Sequence, residues 1–441
     1  MIRKITVSLA LFFLFSDANA QQNVKKTERP LNLTDSALLD IVQQQTFRYF
    51  WDFAHPVSGL SRERSNTNFG YGTETVTTGG TGFGVMGVIV ATERKWIRRD
   101  TAAKFLLKMV NFLLKADSYH GVFPHWLNGE TGKTIPFSRK DDGADLVETS
   151  YLFQGLLCAR QYFNANNDIE RELRNRIGWL WEGIEWNWFT KGEEVLYWHW
   201  SPNNGWSMNF PIRGFNECMI VYVLAASGER YPVSADVYHR GWAQSNFFKN
   251  GKSFYNYELP LGFDYGGPLF FSHYSFLGLD PRGLKDQYAD YWQQNKNHTL
   301  INRAHCVANP KKFKGYGENC WGLTASDTYD GYNAYSPTND EGTITPTAAL
   351  SAFPYTPEYS MKALKHFYND LGDKLWSEYG FIDAFNETRN WYAQSHLAID
   401  QGPIIVMIEN YRSGLLWNLF MSCEEIKGGL KKLSIQSPHY K

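Results

Sequence analysis

Three short stretches of the 441-residue chain place carboxylic acids at the start of apolar helical runs. In RKDDGADLVETS, Asp141, Asp145 and Glu148 stand at i, i+4 and i+7. If a helix already covers Asp141, all three share a face; if it starts nearer Asp145, Asp145 and Glu148 still do. On a solvated helix such acids are ordinary first-turn residues, favoured by the helix dipole. Here the continuation LVETSYLFQGLLCARQYF is apolar nearly all round, so its first turn is expected to face a cleft. The second stretch is WHWSPNNGWSMNFPIRGFNECMIVYVL, in which Glu217 is the sole acid and opens an apolar helix, with Arg213, Asn216, Trp198, Trp200 and Trp206 around it. A lone buried glutamate is costly unless it is paired or protonated, and a structural pair with Arg213 at i, i+4 is the alternative to catalysis. The third is HLAIDQGPIIVMIENYRSG, where Asp400 precedes an apolar helix with Pro403 in its first turn. A plain N-cap is the alternative there. Glu409, deeper in that helix, reads as a structural partner of Arg412.

Acids gathered at one mouth suit glycoside hydrolysis. One carboxylic acid protonates the leaving oxygen, and a carboxylate activates water or attacks the sugar. Burial and like charge push one pKa up while another group stays ionised. The aromatic fraction of 16% supplies flat rings for sugar C–H faces. Trp126, Trp198, Trp206, Tyr265, Trp321, Tyr335 and Trp391, together with Arg213, are the candidate sugar-binding residues; Tyr71, Tyr316 and Tyr329 are further loop aromatics. Ordinary loop packing is the competing explanation for each ring.

Competing chemistries lack their motifs. The chain has no P-loop, no dinucleotide fingerprint after a strand, no G-x-S-x-G elbow and no Cys/His spacing of a zinc site. A formal net charge of -1 gives no electrostatic case for nucleic acid or an anionic membrane.

The elements that must position these acids follow a repeated theme. Loops rich in glycine and aromatics lead into apolar helices beginning near Thr78, Asp145, Arg213, Pro268, Thr345 and Asp400. Amphipathic partners such as RDTAAKFLLKMVNFLLKA and IERELRNRIGWLWEGI lie between them. Six buried helices, each with an outer partner, predict a single-domain, all-α (α/α)6 toroid over residues 34–441, in which the starts of the inner helices converge. An open solenoid or a two-domain helical protein is the alternative.

Ahead of this domain, MIRK, the apolar run ITVSLALFFLF and SDANA form a signal-peptide pattern over residues 1–20, with cleavage expected after Ala20. No Cys follows that point, so a periplasmic or secreted protein without a lipid anchor is expected, as a monomer. Residues 21–33 read as a polar linker. Cys158, Cys218 and Cys423 read as buried thiols, whereas Cys306 and Cys320 bracket a loop where an exported compartment permits a disulfide.

The stretches DDGADLVETSYLFQGLLCARQYF, WHWSPN, GFNECMIVYVLAASG, GFDYGGPLFFSHYSFLGLDPR, GYGENCWGLTASD and LAIDQGPIIVMIENYRSGLLW carry a further signal. Together they resemble the glycoamylase-like family, glycoside hydrolase family 144, the bacterial endo-β-1,2-glucanases. The resemblance covers most of the mature chain. It implies an (α/α)6 toroid, hydrolysis of β-1,2-glucan with inversion at the anomeric carbon, and no metal or organic cofactor. It also implies a cleft formed by Asp141, Asp145, Glu148, Glu217 and Asp400, with proton relays through a substrate hydroxyl or water. We take Glu217 as the expected acid and Asp400 as the expected base. Hydrolysis of another glucan, or glycan binding on a catalytically silent scaffold, are the alternatives.

Overall fold

The structure, a computed structural model, describes residues 24–66 and 72–440. The expected signal peptide and Tyr71 lie outside the described residues.

The expected (α/α)6 toroid is the observed fold. Its inner wall starts with α2 (Thr78–Glu93), α4 (Leu146–Tyr162) and α6 (Met219–Ser227). It continues through two 3-10 turns, Leu269–Ser272 and Tyr274–Leu277, then α8 (Pro346–Leu350) and α11 (Ala398–Arg412). α2 packs against both α4 and α11, which closes the ring. The outer layer holds α1 (Asp35–Trp51), α3 (Arg99–Leu113), α5 (Asp168–Glu182), α7 (Tyr291–Ala308) and α9 (Pro357–Lys365). A π-helical turn joins α9 to α10 (Gly372–Leu375). The chain ends on α12 (Leu415–Met421) and α13 (Glu424–Lys432), and α13 lies against α6.

The two layers follow from composition. In α2 every residue from Thr78 to Thr92 is buried, because the helix is apolar or small on all sides. In α3 only one stripe is buried, Ala102, Ala103, Leu106, Met109, Val110 and Leu113, the spacing of an outer helix resting on an inner one. Two glycines let α2 and α4 meet backbone to backbone. A Cβ on Gly82 would lie 2.1 Å from the Tyr151 carbonyl oxygen, and one on Gly155 2.1 Å from that of Gly82.

Three inner elements are shorter than the sequence suggests. α6 starts at Met219 rather than near Arg213, because Gly214 takes φ +84 and the Asn216 side chain accepts from the Cys218 N–H at 3.0 Å. The run after Pro268 forms two short turns, in which side-chain bonds replace a helical ladder: Ser272 pairs with His298, and the Ser275 hydroxyl accepts from the Ile220 N–H and donates to the Glu217 carbonyl. α8 ends after five residues, just before Phe353 and Pro354, where helical backbone is disfavoured.

Other expectations need correcting. Residues 24–33 are no free linker: the Val24 N–H donates to Gln394, Glu378 N–H to the Lys25 carbonyl and the Tyr368 hydroxyl to the Pro30 carbonyl. Glu409 does not pair with Arg412. It binds Arg94 through two bonds of 2.9 and 3.0 Å, while Arg412 reaches Asp40 at 2.6 Å. Cys306 and Cys320 are buried free thiols rather than a disulfide. Among the described residues, no helix is long and apolar enough to cross a membrane.

Candidate active site

The heads of α2, α4 and α11 converge on a cavity of about 400 Å³. Thr77, Val147, Glu148, Leu397 and Ile399 bring the three helix starts into its wall, and Glu217 enters from the segment before α6. Tyr151, Phe270, Tyr274 and Tyr332 supply rings, as do Trp126, Phe137 and Trp198.

Asp145 is the N-cap of α4. Its Oδ1 accepts from the Val147 and Glu148 N–H groups at 3.0 and 2.9 Å, and from the Trp198 indole at 3.0 Å. Its Oδ2 faces His125 Nδ1 at 3.0 Å. Asp145 belongs to the two-residue strand β1 (Ala144–Asp145), which pairs with β2 (His199–Trp200) so that Asp145 stands opposite His199. That pairing brings His199 Nε2 within 3.4 Å of Asp141 and 3.8 Å of Asp145. Burial alone would raise the Asp145 pKa, yet the His125 hydrogen bond and charge hold it below the ordinary value. Burial also opposes protonation of His125, but Glu148 and Asp145 outweigh it and carry the imidazole up to about 9. Asp141 goes the other way: burial and the Asp145 charge push it up to about 7.

Glu148 and Glu217 share the cavity in different settings. Glu148 accepts from the Gly79 N–H at 2.8 Å, at the head of α2, and burial still lifts its pKa. Glu217 has a buried Oε2 with no hydrogen-bond partner, and burial followed by the Glu148 charge raises it to about 7. It makes no pair with Arg213, whose guanidinium donates to the Gly241 carbonyl at 3.0 Å. A carboxyl on a cavity wall with one oxygen unpartnered and a pKa raised toward neutral is set up to give a proton to something that enters.

Asp400 is buried at the head of α11, behind the cavity wall, and both its oxygens lack an ordinary donor. Its neighbour is Asp383, a residue that sequence reasoning missed. Asp383 accepts from the Asp327 N–H at 2.7 Å, and Asp327 takes two bonds of 3.0 and 2.9 Å from Arg64. Burial and then the Asp327 charge lift Asp383 to about 8; burial and then Asp383 lift Asp400 well above its ordinary value. Asp383 Oδ1 has no partner either, so two buried carboxyls with unsatisfied oxygens act on each other, a setting in which they titrate as a pair and favour holding a proton.

Of the five expected acids, Glu148 and Glu217 line the cavity; Asp141 and Asp145 adjoin it through His199 and His125, and Asp400 lies with Asp383 behind its wall. Of the expected sugar-binding residues, Trp126 and Trp198 line the cavity. The others lie elsewhere. Trp321 is fully buried in a core cluster shared with α1, α8, α9 and α11, and buried Tyr335 donates to Thr328 at 2.7 Å. Trp391 packs against that same core, and Tyr265 lies against Phe254 at 4.3 Å. Trp206 packs on Trp188, Phe189 and Tyr197 in a separate surface hollow. Arg213 is spent on its backbone contact. Beyond Asp383 and Asp327, sequence reasoning also missed His125 and His199. Asp383 had a readable signal, an acid enclosed by apolar residues in FIDAF, and His199 stood within the WHWSPN stretch.

Among the described residues, His125, Asp141 and Asp145 could approach one cation, with donor atoms within 4.8 Å of one another. The hydrogen bonds fit that purpose poorly. A metal-binding imidazole must be neutral, whereas His125 is held protonated, and Asp145 Oδ1 already accepts three N–H groups.

Comparison with known proteins adds the following. The Glycoamylase family model, described as "Putative glucoamylase", matches residues 209–424. A curated exo β-1,2-glucooligosaccharide sophorohydrolase (non-reducing end) from Parabacteroides distasonis is 45% identical over 96% of this chain; the chain spans 61% of that relative's length. A solved structure of an endo-β-1,2-glucanase from Chitinophaga pinensis, complexed with sophorotriose and glucose, is 56% identical with a TM-score of 0.90, covering 92% of this chain and 100% of that one. A Bacteroides uniformis structure carrying the glucoamylase description is 60% identical with a TM-score of 0.91, covering 94% and 100%.

Proposed function

Since this chain belongs to the glycoamylase family that includes the Chitinophaga pinensis endo-β-1,2-glucanase, we propose that it is a glycoside hydrolase cleaving β-1,2-glucan internally, with inversion. The observation that carries the chemistry is Glu217: a carboxyl on the cavity wall whose buried Oε2 has no partner, raised to about 7. In this reading Glu217 donates its proton to the glycosidic oxygen. Loss of that bond leaves an oxocarbenium-like centre that water attacks from the opposite face.

The Asp383–Asp400 pair receives the proton from that water. A lone Asp400 carboxylate was the simpler expectation, but its high pKa makes the pair the better base: after losing one proton it holds the remaining charge across two carboxyls. Because Asp400 sits behind the wall, a substrate hydroxyl or a second water carries the proton the last step. Asp145, kept ionised by His125, fixes the negative charge near which Asp141 and Glu148 stay partly protonated and able to donate to sugar hydroxyls.

Digestion of linear β-1,2-glucan tests the reading. Short sophorooligosaccharides of several lengths are the expected products. Sophorose alone would favour the exo mode, for which the Parabacteroides distasonis relative argues. Cleavage of starch instead would mean another glucan, and binding without new reducing ends would leave a glycan-binding protein. The same reading makes the protein periplasmic or secreted, on the strength of residues 1–20, and a monomer.

A further inference from the structure

A row of phenylalanines runs from the surface into the cavity wall. Phe247 and Phe263 are 59% and 43% exposed, and their rings lie 5.3 Å apart. Phe263 reaches half-buried Phe271 at 6.4 Å, and Phe271 meets Phe270 at 4.8 Å. Phe270 lines the cavity and stacks on Tyr274 at 5.1 Å. None of these rings belongs to the acid cluster.

The row is held in place by its backbone. Gly214, three residues before Glu217, takes φ +84, and a Cβ there would come within 3.3 Å of the Phe247 Cβ. A Cβ on Gly267 would meet the Phe271 ring at 2.9 Å. Tyr265, Gly266 and Gly267 follow one another with φ of 63, 93 and 77°, a left-handed turn that folds Phe263 back over Phe271. A tyrosine adopts that conformation only under strain, so the surrounding structure must hold it there. Beside Phe263, exposed Asp264 accepts from Asn250 and from Lys252, each at 3.0 Å.

We propose that Phe247, Phe263 and Phe271 form a distal binding track for the same β-1,2-glucan chain whose bond is cut in the cavity. The inference rests on the glucan reading above. Continuity through Phe270 joins the track to the cavity, so a chain leaving the cavity on this side runs onto it. Flat apolar faces next to an Asp264–Lys252–Asn250 rim match the two surfaces of a sugar, its C–H faces and its hydroxyl edge. The paired charges of that rim cancel, which suits an uncharged ligand. The track makes the protein grip polymer better than short oligosaccharides.

The test is the Phe247→Ala/Phe263→Ala double variant, with wild type alongside, on long linear β-1,2-glucan and on a β-1,2-linked tetrasaccharide. Both rings are exposed, and an unchanged circular dichroism spectrum and melting temperature verify the fold. The polymer KM is expected to rise about five- to tenfold, as for loss of stacked rings, with kcat retained and the tetrasaccharide KM changed by less than about twofold. Equal kinetics for variant and wild type on polymer would overturn the track. So would a comparable loss on both substrates, which means local damage to the cavity. Failure of the glucan reading shows differently: wild type then releases no reducing ends from β-1,2-glucan, and the track falls with it.

Discussion

The Asp145 carboxylate caps α4 with one oxygen and faces His125 at 3.0 Å with the other, so a single side chain starts an inner helix and sets the charge of the site. The two tasks can be separated. Asparagine caps helices as well as aspartate but carries no charge. Asp145→Asn should therefore keep the fold while the His125 pKa falls from about 9, since the Asp145 bond and charge disappear and Glu148 remains. An NMR titration of the histidine ring protons measures this, and an unmoved His125 would show that Asp145 does not govern it.

Glu217→Gln removes the proton donor and leaves its shape. The rate on β-1,2-glucan should fall by ~10²–10⁴-fold with the fold intact. In wild type the acid, at about 7, titrates below the base pair, with Asp383 at about 8, so the kcat/KM profile should level off near 7 on its acid side and fall only above the higher value. The first product should be the α-anomer by NMR, as inversion of a β-bond requires. A loss below tenfold, or an initial β-anomer, would remove Glu217 or the inverting mechanism respectively.

Asp383→Asn tests the carboxyl pair. Asp383 raises the Asp400 pKa by its charge, so its replacement lowers that pKa. A base must be ionised to act; with its pKa lowered toward that of Glu217, the maximum of the rate profile should move to lower pH. An unshifted profile with normal folding would take Asp383 out of the base.

Stability should also record these protons. Above pH 6.5 the folded chain still carries protons on His125, Asp383, Glu217 and Asp141, and gives up each as pH rises through its folded pKa of about 9, 8, 7 and 7 respectively. The unfolded chain has shed them, since ordinary values are about 6.5 for His and about 4 for the acids. A folded state that binds more protons loses stability as pH rises. The melting temperature should fall from pH 6.5 to 9, and Glu217→Gln should flatten that slope. A melting temperature that climbs over this range would contradict the assigned protonation states.

The acids at helix heads were legible because their signal is local: a carboxyl directly before an apolar run needs no knowledge of distant contacts. Asp145, Glu148 and Asp400 were found this way. Asp383 and Asp327 come from short connecting segments, and their importance arises only when folding sets them beside Asp400. His125 was hidden for the same reason, being made special by Asp145, 20 residues away along the chain. Ring-bearing loops misled in the opposite direction. Trp321 and Tyr335 have the composition of cleft residues, yet the loops that carry them fold inward and bury them. The shortened inner elements escaped because apolar composition reports burial and does not distinguish a long helix from two 3-10 turns.

The glycine crossing of α2 over α4 determines which parts of this protein can diversify. With no side chain between the two backbones, their spacing has no adjustable component. A larger residue at Gly82 or Gly155 drives the helices apart and pulls the Glu148 carboxylate off the Gly79 N–H. The frame must then be inherited whole. New substrate ranges can arise only in the segments between helices, such as the hairpin of Lys249–Phe254 and Tyr257–Leu261 that leads into Phe263, which can lengthen, shorten or change sequence without disturbing that crossing.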